Sequence, residues 1–210
     1  MSTHVKVSCL LLCAGKSTRT YPAHKLLLKL GDQTLLRRVA EEIECTKFYE
    51  VLAITGHDHL MIEKELRGLP LKIIHNEHYE RGIHSSVREG ILHLSPETDY
   101  FAICHADQPM LTYQDYNKLI DAAQSAAAGT KLIYPSFHGK RGYPALISMS
   151  LIMEILDHHD NDEECSYLFE RYRSQALAVE IDDELPFLKV ETPQIFDQIK
   201  FHISNQLDKS

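Results

Sequence analysis

The sequence has no long apolar run and no N-terminal leader. Its apolar stretches fall well short of the about 18 consecutive residues that a membrane-spanning helix needs. No positively charged segment followed by an apolar one opens the chain. These absences argue against a transmembrane span and a secretory signal, so we expect a cytoplasmic protein without a membrane partner.

Cysteine pairs of the Cys-x-x-Cys type are also missing. The five cysteines stand at positions 9, 13, 45, 104 and 165. Their odd number and wide spacing argue against both a disulfide framework and a structural zinc site. We expect reduced thiols, most of them buried.

The chain lacks the charge of a nucleic-acid-binding protein. Its 30 acidic residues outnumber its 22 lysines and arginines, which gives a formal net charge of −8. No basic run is longer than a pair, whereas proteins that bind nucleic acid concentrate lysine and arginine on one face. We therefore expect no nucleic-acid partner.

Three well-known motifs are absent. Residues 15–18, Gly-Lys-Ser-Thr, resemble the end of a Walker A sequence, but Leu10 occupies the position of its first glycine. A dinucleotide-binding Gly-x-Gly-x-x-Gly fails at Ser17 and Thr20. The Gly-x-Ser-x-Gly elbow of serine hydrolases occurs nowhere. The glycine at position 15 therefore belongs to a different kind of loop.

Thirteen histidines are present, but their spacing does not predict a zinc site. The groups considered are His57 with His59, His75 with His78 and His84, and His158 with His159. Adjacent histidines on a helix point about 100° apart and rarely share a metal, and the spacing within the other groups is no better.

The order of apolar segments predicts alternating strands and helices. The length of 210 residues and the 44% hydrophobic content suit one domain, residues 1–210, with a sizeable core. Strands are expected at 7–12, 51–55, 71–74, 100–104, 131–134, 144–148 and 176–181, and helices at 34–44, 60–69, 87–94, 113–127, 149–158, 164–173 and 193–206. This βαβ pattern predicts an α/β fold with a mostly parallel, doubly wound, Rossmann-like sheet.

The segment from Val7 to Leu30 has the outline of a phosphate site. A buried strand leads into a turn of small residues around Gly15, whose backbone can leave amide N–H groups facing an anion. The carboxyl ends of parallel strands form one edge of a sheet, so Gly15, Asn76 and Asp107 are expected on the same rim. Chemistry on a nucleotide is the first hypothesis.

Four sequence blocks resemble the nucleotidyltransferases that handle the molybdenum cofactor and related phosphorylated substrates. That family carries L-x-A-G-x-S-x-R followed by K-x-L-L, then N-x5-G-x-x-S-S-[LV], D-Q-P and G-x-x-G-H-P. The matching residues are Leu12, Ala14, Gly15, Ser17, Arg19, Lys25, Leu27 and Leu28; Asn76, Gly82, Ser85, Ser86 and Val87; Asp107, Gln108 and Pro109; and Gly139, Gly142 and Pro144. A weaker fifth block, residues 189–193, stands where many members carry D-I-D-T-P. The blocks span most of the chain and imply a fold like that of these nucleotidyltransferases.

The resemblance implies a reaction in which an acceptor phosphate attacks the α-phosphorus of a nucleoside triphosphate and pyrophosphate leaves. Such transfer demands positioning and charge neutralisation. We expect Lys25 to contact the phosphates, Arg19 to hold the departing β- and γ-phosphates, and Asp107 to bind Mg²⁺, with Glu191 as a weaker second metal ligand. Lys16 adds positive charge beside them.

The expected nucleotide-binding residues are Leu12, Cys13, Ala14, Gly15, Lys16, Ser17, Asn76, Gly82, Ser85 and Ser86. Structural alternatives stay open for three of them. The Ser85 and Ser86 hydroxyls suit the N-cap of a helix, and Asn76 suits the closure of a turn.

Departures from the family pattern leave the activity and its substrates open. Lys189 and Glu191 replace both aspartates of D-I-D-T-P, and Tyr143 replaces the histidine of G-x-x-G-H-P. Cytidylyl-transferring members of the family tend to carry A-A-G-x-S-x-R in this loop and guanylyl-transferring ones A-G-G-x-G-x-R. The resemblance of residues 13–19 to the first pattern favours CTP over GTP, since Ala14 leaves less room for a purine than glycine would. Molybdopterin is the first acceptor, with sugar 1-phosphates and methylerythritol phosphate as alternatives. A protein that binds nucleotide or cofactor without transfer, as a chaperone for a molybdoenzyme, is the competing function.

Overall fold

The central sheet of the computed structural model contains eight strands within the residues that it describes, 4–17, 24–158 and 165–207. A two-stranded antiparallel sheet stands apart from it. The strands are β1 Val7–Leu12, β2 Lys29–Leu30, β3 Gln33–Thr34, β4 Val51–Thr55, β5 Lys72–His75, β6 Tyr100–His105, β7 Leu132–Phe137, β8 Lys140–Arg141, β9 Ala145–Ser148 and β10 Ala176–Glu180. The β2–β3 pair and β8 have two residues each, too short for the apolar pattern to predict.

The strand order of the central sheet is β10-β7-β9-β6-β1-β4-β5, with β8 paired to β7. Strand β1 pairs in parallel with β4 and β6, β4 with β5, and β10 with β7. Only β8 and β9 run antiparallel to their neighbours within the described part of this sheet. The expected α/β fold with a mostly parallel sheet is confirmed.

Helices cover both faces of the sheet, as the doubly wound prediction requires. They are α1 Leu35–Glu44, α2 His59–Glu65, α3 Ile83–Leu92, α4 Tyr113–Ser125, α5 Ile152–Asp157, α6 Tyr167–Arg171 and α7 Pro193–Leu207. One face carries α1, α2, α4 and α7, and the other carries α3, α5 and α6. Two apolar clusters therefore fill the core, one on each side of the sheet.

Strand β1 shows why this packing forms. Its six residues are all buried. Cys9 and Leu11 pack in the first cluster while Leu10 and Leu12 pack in the second, because successive side chains of a strand point to opposite faces. A continuous apolar run is the expected sequence of a parallel strand that is covered on both faces.

Local signals also set where helices begin. The hydroxyl of Thr34 accepts a hydrogen bond from the Arg37 amide at the start of α1, and Thr112 and Asp115 form a reciprocal capping box at α4. The predicted helix at 149–158 begins as a short 3₁₀ turn, residues 149–151, before α5.

Four of the five cysteines are buried and Cys45 is exposed, and all are free thiols, as expected. Among the described residues, no helix is long and apolar enough to cross a membrane.

Candidate functional site

The carboxyl ends of four neighbouring strands form the rim that carries the predicted site. Leu12 at the end of β1 is in register with His105 of β6 and Ile54 of β4, and Thr55 is in register with His75. The segments that follow these strands are residues 13–17, 56–58, 76–82 and 106–109. The predicted placement of Gly15, Asn76 and Asp107 on one rim agrees with this register.

Backbone hydrogen bonds hold the first half of the loop after β1, and its second half is exposed to solvent. The Cys13 amide donates to the Ile54 carbonyl at 2.9 Å, and the His57 amide donates to the Ala14 carbonyl at 3.2 Å. Cys13 and Ala14 are buried, whereas Gly15 and Lys16 are exposed. The second half of the loop is therefore open to solvent at the rim.

The conformational role that the sequence suggested for Gly15 falls on a different residue. Ser17 adopts a left-handed φ of 54°, while Gly15 is not among the residues with positive φ. Ser17 also places its hydroxyl 3.5 Å from Nδ1 of His24, across the loop. The turn of this loop is thus made at Ser17.

Neither its backbone conformation nor its described neighbours require glycine at position 15. Of the nine glycines, five have positive φ and three have neighbours that an added Cβ would meet within 4 Å. An added Cβ at Gly15 would meet nothing. The missing side chain leaves space on the rim that a ligand can occupy.

Lys25 and Asp107 form an ion pair between the start of a 3₁₀ helix and the segment that follows β6. Their side chains are only 20% and 12% exposed, so the pair is largely withdrawn from solvent. Lys25 begins a short 3₁₀ helix, Lys25–Leu27, whose middle residue Leu26 is buried and anchors it. Two residues predicted to share the chemistry are therefore in direct contact.

The chain around Asp107 is held from three sides. The Val190 amide donates to the Asp107 carbonyl at 2.9 Å, and the Gln108 side chain donates to the Pro186 carbonyl at 3.3 Å. Nε of Arg38 donates to the Pro109 carbonyl at 3.0 Å. These bonds hold the D-Q-P segment in place and join it to the segment that precedes Glu191.

Asp107 keeps one carboxylate oxygen available. Oδ2 contacts Lys25, whereas Oδ1 is buried and has no hydrogen-bond partner among the described residues. An unpartnered buried carboxylate oxygen is costly unless something else binds it. Carboxylate oxygens are the ligands that Mg²⁺ prefers, so Asp107 suits a divalent cation, and Glu191 as a second ligand stays a prediction.

Lys16 pairs with Glu80 across the rim, with Nζ and Oε1 2.6 Å apart. Both side chains are exposed, so solvent screens the pair and Lys16 can exchange this partner for a phosphate. The Lys16 ammonium also lies 5.8 Å from the centre of the Tyr79 ring. The expected positive charge is present beside the open half of the loop.

Asn76 joins the end of β5 to the start of α3. Its side-chain amide donates to the hydroxyls of Ser85 and Ser86 at 2.9 and 3.0 Å, and its oxygen accepts from the His78 amide at 2.9 Å. It is 1% exposed. The turn-closing alternative therefore describes Asn76 in the structure, and its contact with a nucleoside remains a prediction.

The structural alternative for Ser85 and Ser86, N-capping of a helix, is wrong. Helix α3 begins at Ile83 with Gly82 as its N-cap, and no side chain caps it. The Ser85 hydroxyl instead lies 2.8 Å from the Gly82 carbonyl, within the first turn. Gly82 has φ 96° and ψ 177°, a conformation that favours glycine, so it supplies the backbone freedom expected of it.

Two of the departures from the family pattern contact each other. Nζ of Lys189 lies 4.7 Å from the centre of the Tyr143 ring, a cation–π distance. Tyr143 in turn packs edge-on against His105, the last residue of β6, with ring centres 4.8 Å apart. Lys189 and Tyr143 therefore contact each other beside β6, the strand that precedes Asp107.

Burial controls the ionisation of two further groups. Desolvation raises the pKa of the Cys13 thiol, and the charges of Cys9 and Asp107 add to the shift, so this cysteine stays neutral. Desolvation also lowers the pKa of His24, which opposes its protonation near neutral pH. Neither group supplies charge to the rim at neutral pH.

Three aromatic rings without a role predicted from the sequence lie beside the loop after β1. His57 packs between His24 and Tyr79, with ring centres 6.1 and 5.9 Å away. Gly56 allows this approach, because a Cβ there would lie 2.7 Å from Cβ of Tyr79. Residues 56 and 57 directly follow a predicted parallel strand, and this position in the sequence indicated that they would lie at the rim.

Arg19 lies outside the described residues, so its role stays a prediction. Of the other predicted residues, Leu12 ends β1, and Cys13 to Ser17 form the loop. Lys25 and Asp107 contact each other, and Glu191 lies next in sequence to the bond that anchors Asp107. This arrangement suits the binding of an anionic ligand together with a divalent cation.

Residues 9–176 match the family described as the MobA-like NTP transferase domain. This chain belongs to that family. The nucleotidyltransferase-type domain inferred from the four blocks is thereby confirmed.

The chain is also similar to curated relatives. The chain is 26% identical over 163 residues to the bifunctional protein GlmU of Prochlorococcus marinus, with 74% of this chain and 34% of that protein covered. The chain therefore spans about a third of the length of the curated relatives it matches.

Among solved structures, a nucleotidyl transferase from Methanothermobacter, Mth528, superposes with a TM-score of 0.83 at 17% identity, covering 96% of this chain and 99% of that one. The 4-diphosphocytidyl-2C-methyl-D-erythritol synthase of Anaerococcus prevotii superposes with a TM-score of 0.77 at 14% identity, covering 96% and 97%. These likenesses establish the fold of this domain.

Replacing Gly15 by alanine should weaken nucleotide binding about tenfold without loss of stability. Space is open for the new methyl group in the protein alone, but it would occupy the place of a bound phosphate. Calorimetric titration with Mg²⁺ and CTP measures the affinity, and thermal unfolding measures the stability.

Gly129→Ala is the matched control for this loop. Gly129 has φ 89° and lies far from the rim, before β7, so its alanine variant should lose stability and keep its nucleotide affinity. Equal affinity of Gly15→Ala and the unaltered protein would show that the loop does not hold phosphate.

Proposed function

We propose that this protein is a cytoplasmic, Mg²⁺-dependent nucleotidyltransferase that transfers CMP from CTP to a phosphorylated small molecule and releases pyrophosphate. Molybdopterin is the proposed acceptor, because the sequence blocks most resemble the enzymes that act on it. The observation that carries the proposal is the Lys25–Asp107 pair with its second carboxylate oxygen unpartnered, next to a loop whose glycine leaves space for a phosphate.

In the proposed reaction a phosphate oxygen of the acceptor forms a bond to the α-phosphorus of CTP. The bond from that phosphorus to the α–β bridging oxygen breaks, and pyrophosphate leaves with the electron pair. Mg²⁺ held by Asp107 and Glu191 would neutralise charge on the phosphate oxygens.

The chain's own residues position the reactants. Lys25 can turn its ammonium from Asp107 to the developing negative charge, a movement of one flexible side chain. The amides of residues 15–17 and the Lys16 ammonium would hold the triphosphate, and Arg19 is assigned to the departing phosphates. The loop amides belong to the folded backbone and need little reorganisation, whereas Lys25 and Lys16 each exchange a carboxylate partner for a phosphate.

The choice of CTP rests on the wall made by Ala14 and Gly56. Ala14 is 6% exposed, and a Cβ built at Gly56 would come within 2.9 Å of its methyl group. The two segments therefore already touch at that point, which supports a small base. A gap between these two segments wide enough for a purine would instead favour the guanylyl alternative.

The Lys189–Tyr143 contact supports a phosphorylated acceptor. Lys189 replaces an aspartate of the family pattern and adds positive charge beside Tyr143, which packs against the last residue of β6. The Anaerococcus prevotii structure is named for a product built on methylerythritol, so methylerythritol phosphate is the runner-up acceptor, followed by sugar 1-phosphates. Loss of the family's two aspartates at positions 189 and 191 also favours the second function, a non-catalytic nucleotide- or cofactor-binding chaperone for a molybdoenzyme.

Binding and turnover separate these functions. Calorimetry with CTP, GTP, ATP and UTP in the presence of Mg²⁺ should show the tightest binding for CTP, and pyrophosphate should appear only when acceptor is added. Tighter GTP binding would move the assignment to guanylyl transfer. Binding without pyrophosphate release with any of the acceptors would identify the chaperone, and no binding of any triphosphate would refute the transferase.

A further inference from the structure

A second group of metal-binding side chains lies at the edge of the same sheet. His59, Glu63 and His75 bring ligand atoms within 4.8 Å of one another, and no other group of three such side chains is this close in the described residues. The edge strand β5 supplies His75, and α2 supplies the other two. The histidine spacing did not predict this set, because it crosses two elements and includes a glutamate.

The local structure holds the three side chains together. His59 and Glu63 are four residues apart on α2 and therefore share one face, with Nδ1 and Oε1 3.1 Å apart. His75 ends β5 in register with Thr55, the last residue of β4, which precedes the turn into α2. The His59 and His75 rings lie 4.3 Å apart between their centres.

The Thr55 side chain lies beside two of the three ligands. Its buried hydroxyl lies 3.4 Å from Nδ1 of His75 and 3.5 Å from Oε1 of Glu63. Metal ligands in proteins are commonly fixed in this way by hydrogen bonds from neighbouring groups. The remaining directions are open, because His75 is exposed and the other two ligands are partly exposed.

We propose that His59, Glu63 and His75 form a Zn²⁺ site, separate from the site at Asp107. Two imidazole nitrogens and one carboxylate oxygen are a known ligand set for zinc with one open position, and Mg²⁺ prefers oxygen ligands alone. Ligand atoms around tetrahedral zinc lie about 3.3 Å apart, so only the exposed His75 side chain has to turn inward.

The position of this site distinguishes it from the catalytic one. Between β5 and β6 lie β4 and β1, so three strand spacings, about 14 Å, separate the two strand ends. Zinc would tie the end of β5 to the start of α2, which directly follows residues 56–58, and the His57 amide in that segment holds the loop after β1. The proposal does not depend on nucleotidyl transfer.

Zinc titration of the untagged, chelator-treated full chain tests the site. We expect one equivalent of Zn²⁺ to bind with a micromolar or lower dissociation constant and to raise the melting temperature, and Co²⁺ to bind with the visible absorption of a tetrahedral centre. Each of His59→Ala, Glu63→Gln and His75→Ala should weaken Zn²⁺ binding at least tenfold.

His93→Ala is the matched control. His93 and Glu89 are also four residues apart, with Nδ1 and Oε1 3.5 Å apart, but they belong to no three-ligand group in the part of the chain described. This variant should keep full zinc affinity. Unchanged binding in His75→Ala, equal loss in His93→Ala, or no binding to the unaltered protein would overturn the proposal. His75 is exposed at a strand end, so its variant decides the matter even if one on α2 fails to fold.

Discussion

Replacement of Asp107 by asparagine is expected to lower the rate of CTP-dependent pyrophosphate release at least about a hundredfold, since charge stabilisation around a transferred phosphoryl group is typically worth that much or more. Asparagine keeps the size of the side chain and removes its negative charge. The buried Oδ1, which has no partner among the described residues, then no longer attracts a divalent cation. Steady-state release of pyrophosphate at saturating CTP and acceptor measures the effect.

The surface pair Lys47–Asp121 provides the control. Nζ and Oδ1 lie 2.8 Å apart there, with both side chains more than half exposed, so Asp121→Asn removes the same kind of ion pair far from the rim. It should leave turnover within about twofold of the unaltered protein, as exposed pairs contribute little. Comparable activity of Asp107→Asn and Asp121→Asn would remove Asp107 from the mechanism.

The folding pattern was predictable because it depends on local periodicity and on rules of connection. Strand β4 was predicted at 51–55 and is Val51–Thr55, because its apolar run is bounded by polar residues on both sides. The placement of Gly15, Asn76 and Asp107 on one rim followed from parallel pairing alone. Short elements such as β2 and β8 carry too few residues for any periodicity.

Contacts between side chains from distant segments could not be predicted in the same way. The Lys189–Tyr143 contact joins residues whose replacements looked independent in the sequence. The grouping of His59 and Glu63 with His75 requires the register of β4 with β5 as well as the position of α2. The sequence predicted that Gly15 would make the turn of the loop. Ser17 makes it instead, although serine is not a residue type that indicates a positive φ.

The Lys25–Asp107 pair implies an exchange of partners when the substrate binds. In the protein alone, Lys25 neutralises the carboxylate that the proposed mechanism assigns to the metal. A cation that binds Asp107 must compete with the ammonium, and the released ammonium becomes available to the phosphates. Nucleotide and metal should therefore bind together more favourably than either does alone.

Lys25→Met tests this exchange and should separate metal binding from catalysis. Loss of the ammonium should lower pyrophosphate release at least about a hundredfold. It should also leave the carboxylate of Asp107 unpaired in a largely buried place, which lowers the free energy of unfolding by about 1–3 kcal/mol. Mg²⁺ without nucleotide should then bind more tightly than to the unaltered protein, because its competitor is gone.

The diagnostic measurement is the rise in melting temperature on addition of Mg²⁺ alone, which should be larger for Lys25→Met than for the unaltered protein. Lys47→Met, which breaks the exposed pair instead, should show the rise of the unaltered protein. Lys25→Arg retains the charge and should recover the stability, but its broader guanidinium should restore only part of the turnover. A smaller Mg²⁺ effect in Lys25→Met would mean that the ammonium assists metal binding, and the partner exchange would have to be abandoned.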